Sequence, residues 1–160
     1  MIGYAQLKHV GCVGIKLLYK DKSVQHAGTV LGFGGVAGHV FVACSYEDNG
    51  LFGRLCMPYD YTAVTAACML FDKEKFIDVG GFDEKLTVAL NDVDLCLSFL
   101  DKGYYNVCLS NVEMFHYESK SRGYEDTVEK HNRFLKEQEY MKNKWKNKIN
   151  RDKYFSKYNF

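Results

Sequence analysis

Residues 80–116 read GGFDEKLTVALNDVDLCLSFLDKGYYNVCLSNVEMFH, and this stretch decides the fold class. Val93, Leu95, Leu97, Phe99 and Leu100 supply apolar surface over Leu90–Lys102, and Gly103 supplies a C-terminal stop. That pattern predicts a helix, with Asn91 or Asp92 as its N-cap. Tyr104–Leu109 follows as a strand and Asn111–His116 as a second extended piece. Upstream, Asp72 is placed to cap a short helix, Lys73–Val79, that stops at Gly80-Gly81.

Working outward, Gly11–Tyr19 (GCVGIKLLY) reads as a buried strand ending in a turn at residues 20–23. Val24–Gly32 is a second extended segment, and Met1–His9 is expected to end a helix. Ser45–Pro58 is a polar, turn-rich loop. Tyr61–Phe71 (YTAVTAACMLF) is apolar, rich in small and β-branched residues, and is expected to be a central strand. Tyr124–Lys148 is expected to be a long helix, with Tyr124, Val128, His131, Leu135, Met141 and Trp145 near one stripe. The tail, Arg151–Phe160, shows no clear element. Strands alternating with helices predict an α/β fold.

The 160 residues suit one domain, and 47% hydrophobic with 26% charged residues is a globular composition. A net charge of +1 gives no basis for nucleic-acid binding or for an anionic membrane surface. The basic run Lys136–Lys153 is interspersed with glutamate at its start and reads as a solvated helix face. Apolar runs such as Ala63–Phe71 fall far short of a spanning helix, so any membrane association is expected to be peripheral. The N-terminus shows no signal-peptide pattern. Six cysteines (Cys12, Cys44, Cys56, Cys68, Cys96, Cys108) form no CxxC pair and sit mostly among apolar residues. They read as small hydrophobes of a cytoplasmic protein.

Several residues are candidates for chemistry. Asp92 and Asp94 lie two apart, so they do not share a helix face. One carboxylate at the helix start is placed to act as a general base in a cleft; equally, both serve as caps favoured by the helix dipole. His116 suits a divalent metal, a phosphate or proton transfer, or a structural role at a strand end. Arg122 offers a forked donor for an anionic group, or a solvated turn. The glycine-dense Gly32–His39 reads as a surface loop or as a loop beside a ligand; the lysine and context of a P-loop are missing.

The order GCVGIKLLY, VQHAGTVLGFGGVAGH, YTAVTAACMLFDKEKF and then residues 79–126 resembles the C-terminal half of family 2 glycosyltransferases, nearest in character to rhamnosyltransferase-like enzymes of bacterial surface-polysaccharide synthesis. The resemblance implies the C-terminal part of a GT-A fold, a Rossmann-like mixed sheet with flanking helices. It also implies a nucleotide-diphosphate sugar donor, a glycan or lipid-linked acceptor, and Mg²⁺ or Mn²⁺. On this basis Asp92 is the catalytic base, and Asn91 stands where many members have Glu. Gly81, Phe82 and Asp83 line the acceptor side, Asp94 holds the helix start, and His116 helps hold metal or diphosphate.

This chain departs from the family in one large respect. The nucleotide-binding aspartate and the Asp-x-Asp metal motif, which precede these blocks in the family, are not found here. The expectation is therefore a single partial domain over residues 1–160, inactive alone, with uncovered sheet edges that favour self-association. The alternative is a non-catalytic carbohydrate-binding or protein-interaction module, in which tyrosines and the Asp83 loop hold a glycan.

Overall fold

Ile2–Ala5 forms a single helical turn (α1), and Val10–Leu18 (β1) follows with every residue buried. The computed structural model describes residues 1–117 and 127–156. The chain continues through Val24–His26 (β2), Thr29–Leu31 (β3), Ala37–His39 (β4), Pro58–Tyr61 (β5), Met69–Phe71 (β6), Lys73–Asp78 (α2), Asn91–Asp101 (α3), Tyr105–Phe115 (β7) and Val128–Lys144 (α4). Short 3-10 turns occupy Leu51–Gly53 and Ala66–Cys68.

The result is an α/β architecture built on a mixed sheet. β7 runs parallel along one edge of β1, while β2 and β6 pair antiparallel with different parts of its other edge. β5 closes the far side of β7, and β3–β4 form a separate hairpin. The continuous burial of β1 follows from cover on both faces. Val10, Val13, Ile15 and Leu17 pack with Val107, Leu109 and Ala5 on one face. On the other, Cys12 and Cys108 meet Leu95, Cys96 and Phe99 of α3. Asn106 stitches this second face: its amide donates to the carbonyls of Thr62 and Cys96, both at 2.9 Å, and its carbonyl accepts from the Cys12 thiol at 3.2 Å. All six cysteines are free thiols, and burial pushes Cys108 up to about 12.

Several sequence expectations need correction. Tyr61–Phe71 is not one strand: β5 ends at Tyr61, a loop and a 3-10 turn intervene, and only Met69–Phe71 pairs again. Side chains claim the amides in its middle, as described below. The helix expected over Met1–His9 is limited to Ile2–Ala5. The segment Val24–Gly32 is broken into β2 and β3. Gly32–His39 is not simply a surface loop, because its second half is β4, paired with β3. Tyr104–Leu109 and Asn111–His116 merge into one strand with an irregular register beside Ile15 and Lys16. Asp72 does cap α2, accepting from Glu74 N and Lys75 N.

The break between β2 and β3 is enforced at Gly28. Its φ is +116°, and a β-carbon there would stand 2.5 Å from Cδ1 of the buried Tyr61 ring. Gly28→Ala therefore combines left-handed strain with overpacking. It is expected to cost about 3 kcal/mol, read as a lowered urea midpoint; a loss under half that would show that the hairpin and ring can part.

Candidate functional site

Leu90, at φ +62°, is the residue that caps α3, so neither Asn91 nor Asp92 is the N-cap. Instead Asn91 Oδ1 accepts from Asp92 N, and Asp92 Oδ1 accepts from Val93 N, each at 2.8 Å. The other Asp92 oxygen reaches across to the β5–β6 connection and accepts from Ala66 N at 3.1 Å. The preceding amide, Thr65 N, donates to His26 Nε2 at 3.4 Å, and Thr65 Oγ1 accepts from Ala67 N. Three successive amides are thus taken by side chains. This removes them from any strand ladder and explains why the apolar run cannot be one strand.

His26 belongs to a chain of polar groups that the sequence reading passed over. Its ring is wholly buried and lies edge-on to His39, with centroids 4.7 Å apart. His39 Nδ1 lies 3.2 Å from the Gln25 carbonyl, and Gln25 Oε1 lies 2.7 Å from His116 Nδ1. The acceptor role of His26 Nε2 assigns its proton to Nδ1, which is buried without a partner among the described residues. Burial, reinforced by His39, holds the ring well below the usual histidine range, so it is neutral. For His116, the Gln25 carbonyl oxygen places the proton on Nδ1 and leaves the Nε2 lone pair for a ligand. The available signal was the pair His26-Ala27-Gly28 and Ala37-Gly38-His39 bracketing the glycine stretch.

A second cluster ties the acidic loop to α4. Asp83 Oδ2 accepts from the Tyr140 hydroxyl and from Lys144 Nζ, both at 2.8 Å. The same ammonium pairs with the buried Asp94 at 2.8 Å, and Trp145 Nε1 donates to Asp94 at 2.7 Å. Lys144, with help from Tyr140, holds the Asp83 carboxyl down at about 2, against the opposing effect of partial burial. Two turns before Lys144, the buried Glu137 accepts from the amides of Thr87, Val88 and Ala89 and from the Thr87 hydroxyl. The inward face of α4 is therefore charged as well as apolar. Val128 and Leu135, expected on a buried stripe, are exposed, and Tyr124 lies outside the described residues. Asp94 does not hold the start of its own helix; it anchors α4.

The sequence candidates thus fall into distinct places. Asn91 and Asp92 sit at the start of α3, and the His26–His39–Gln25 chain links that start to His116. Gly81 and Phe82 pack on the ring of Phe76, the Phe82 ring edge-on at 5.4 Å. Asp83 is committed to α4. Arg122 lies outside the described residues. As for Mg²⁺ or Mn²⁺, His116 Nε2 is one available donor, but the described residues bring no three histidine, cysteine or carboxylate groups together for a metal. They do not by themselves form a resident divalent site.

The chain is 51% identical over 147 residues to "Uncharacterized protein y4gI" of Sinorhizobium fredii (strain NBRC 101917 / NGR234), a match covering 91% of this chain and 16% of that protein. It is 38% identical over 123 residues to "O-antigen biosynthesis protein RfbC" of Myxococcus xanthus, covering 76% of this chain and 10% of that protein. This chain is similar to part of an O-antigen biosynthesis protein. It spans less than a fifth of the length of either relative. No family model matches it, and no solved structure matches it. Among the described residues, no helix is long and apolar enough to cross a membrane.

Two outcomes test the clusters. Lys144→Met leaves Asp94 buried with only the indole donor, and is expected to cost about 3 kcal/mol by urea denaturation; a change below about 0.5 kcal/mol would reduce the cluster to a surface contact. Acid should weaken the fold in two stages. His26 is depressed, so stability falls as pH drops below about 6.5; Asp83 is depressed too, and its contribution is lost between about 4 and 2. In urea midpoints against pH, His26→Phe should flatten the upper stage and Asp83→Asn the lower.

Proposed function

We propose that this stretch is the acceptor-side part of an inverting glycosyltransferase of surface-polysaccharide synthesis, with Asp92 as general base. One observation carries the reading. Asp92 stands at the start of α3 with its two oxygens oriented by main-chain amides from two different elements, in a chain similar to an O-antigen biosynthesis protein. Each oxygen takes one of those bonds and keeps lone-pair capacity for an acceptor hydroxyl. Asp92 takes the hydroxyl proton as the freed oxygen attacks the anomeric carbon of the donor. The nucleoside diphosphate leaves from the opposite face, so configuration inverts. The amino end of α3 favours the negative charge gathered there.

In this reading the donor's nucleotide, its phosphates and a divalent ion are held by parts of a longer protein, and His116 adds at most one contact. The 160 residues alone would then turn over no substrate, and would bury their free sheet edge by association with another chain segment or a second copy. The commitment of Asp83 to Tyr140 and Lys144 removes a contact expected on either reading; the second reading, glycan binding without transfer, then rests on exposed tyrosines such as Tyr4 and Tyr105.

Within a parent protein that binds the donor, Asp92→Asn is expected to cut sugar transfer by about a thousandfold while calorimetric donor affinity stays within a few-fold. Transfer near the wild-type rate would remove Asp92 from the role of base. Glycan binding by this chain without nucleotide, combined with unaltered transfer in the variant, would favour the second reading.

A further inference from the structure

A cleft of about 560 Å³ opens between α1, β5 and the first residues of β1 and β7. Its size lies within the range of small-ligand sites, about 300–1,000 Å³. It is not the neighbourhood of Asp92. α3 runs from Asp92 toward Tyr105, which lines the cleft, so the 11-residue helix sets the two apart by roughly 14 Å along its axis at about 1.5 Å per residue. Ligands of open α/β sheets are usually found at the carboxyl ends of the parallel strands. This cleft sits at the amino ends of β1 and β7, the parallel pair.

Its walls have a particular chemistry. Tyr4 and Tyr105 are each 38% exposed. The His9 ring meets Tyr105 edge-on at 6.1 Å, and Lys153 Nζ stands 5.1 Å from the Tyr105 ring. The Tyr59 ring turns to the other face of β5, beside Tyr61 and under Arg54, where its hydroxyl donates to the Phe52 carbonyl. Asp60 projects from β5 on the cleft side and is solvent-exposed. It makes no side-chain hydrogen bond or ion pair with the described residues; partial desolvation by the cleft wall raises its pKa, opposed by the nearby Lys153 and His9. A phosphorylated or carboxylated ligand would meet the Asp60 charge inside the cleft, and the Lys153 ammonium that opposes it stands beside the lining rather than in it. A metal ion would find a single carboxylate, and a lipid chain would have to desolvate both Asp60 and His9. A neutral polyol suits the site, because its C–H faces pack on tyrosine rings while its hydroxyls donate to Asp60 and meet His9.

We propose that this cleft is a saccharide-binding site, separate from Asp92, that takes one or two pyranose rings of a neutral glycan. It stands on the geometry of Tyr4, Asp60 and Tyr105, whether or not Asp92 is a catalytic base.

The test is a ¹⁵N-resolved NMR titration of the whole chain with methyl glycosides of glucose, galactose, mannose, rhamnose and N-acetylglucosamine, and with maltotetraose. At least one is expected to shift the amides of Tyr59, Asp60 and Tyr105 with a millimolar Kd. Asp60→Asn and Tyr105→Ala should each weaken it about tenfold, roughly 1.4 kcal/mol. Tyr105→Phe should retain binding, and Asp92→Asn should leave it unchanged. No shift with any probe up to about 20 mM, a range set by millimolar affinity, overturns the proposal. So do shifts confined to the start of α3. Loss of self-association in Tyr105→Ala, without any saccharide response in the unaltered chain, makes the cleft a protein interface and also overturns it.

Discussion

One ammonium group holds the candidate site together. Lys144 Nζ lies between Asp83, in the acidic loop, and Asp94, in α3. Asp94 is 1% exposed, and a carboxylate so deeply buried needs both a counter-charge and hydrogen bonds. Lys144 and the Trp145 indole supply them. Glu137 applies the same logic two helical turns earlier, filling its oxygens with the donors of residues 87–89. Together these contacts fix the segment that leads into α3 and therefore the direction in which Asp92 faces.

A second constraint acts from the opposite side. Thr65 and Ala66 present consecutive amides, one to His26 and one to Asp92. The connection between β5 and β6 is thus held by the β2–β4 region and by the start of α3 at once. Displacing it leaves Asp92 with an empty acceptor and His26 with a second unpartnered nitrogen, each costing about 1–3 kcal/mol. The glycine hairpin and the helix start are coupled through these two hydrogen bonds and through one hydrophobic cluster that holds Val30, Leu31 and Val36 together with Val93.

The sequence reading succeeded where a local rule was sufficient. Periodicity located α3, and Asp72 with Gly80-Gly81 bounded α2. GCVGIKLLY was a buried strand because both its faces are covered. The failures arose where tertiary contacts overrode local preference. YTAVTAACMLF has strand composition, yet distant side chains claim its central amides. The stripe expected on α4 was judged by hydrophobicity, while the helix turns Glu137, Tyr140 and Lys144 inward to partners that no spacing rule reveals. Gln25, His26 and His39 were visible only as a symmetric pattern around glycines. Asp92 and Asp94 were both legible as an acidic pair at a helix start, and the family resemblance chose between them.

The pairing of β1 with β7 also bears on how the chain acquires its shape. These strands form the parallel centre of the sheet although most of the sequence lies between them. A connection of that length raises contact order and slows closure. During synthesis, β1 emerges long before its main partner and must wait with its apolar faces and edges open. Its early antiparallel partner is β2, which meets only Leu17 and Leu18; β6 arrives later to cover Cys12–Gly14. For a nascent chain, the most vulnerable interval is the one before β7 is made, when the most buried strand of the finished molecule is still its most adhesive surface.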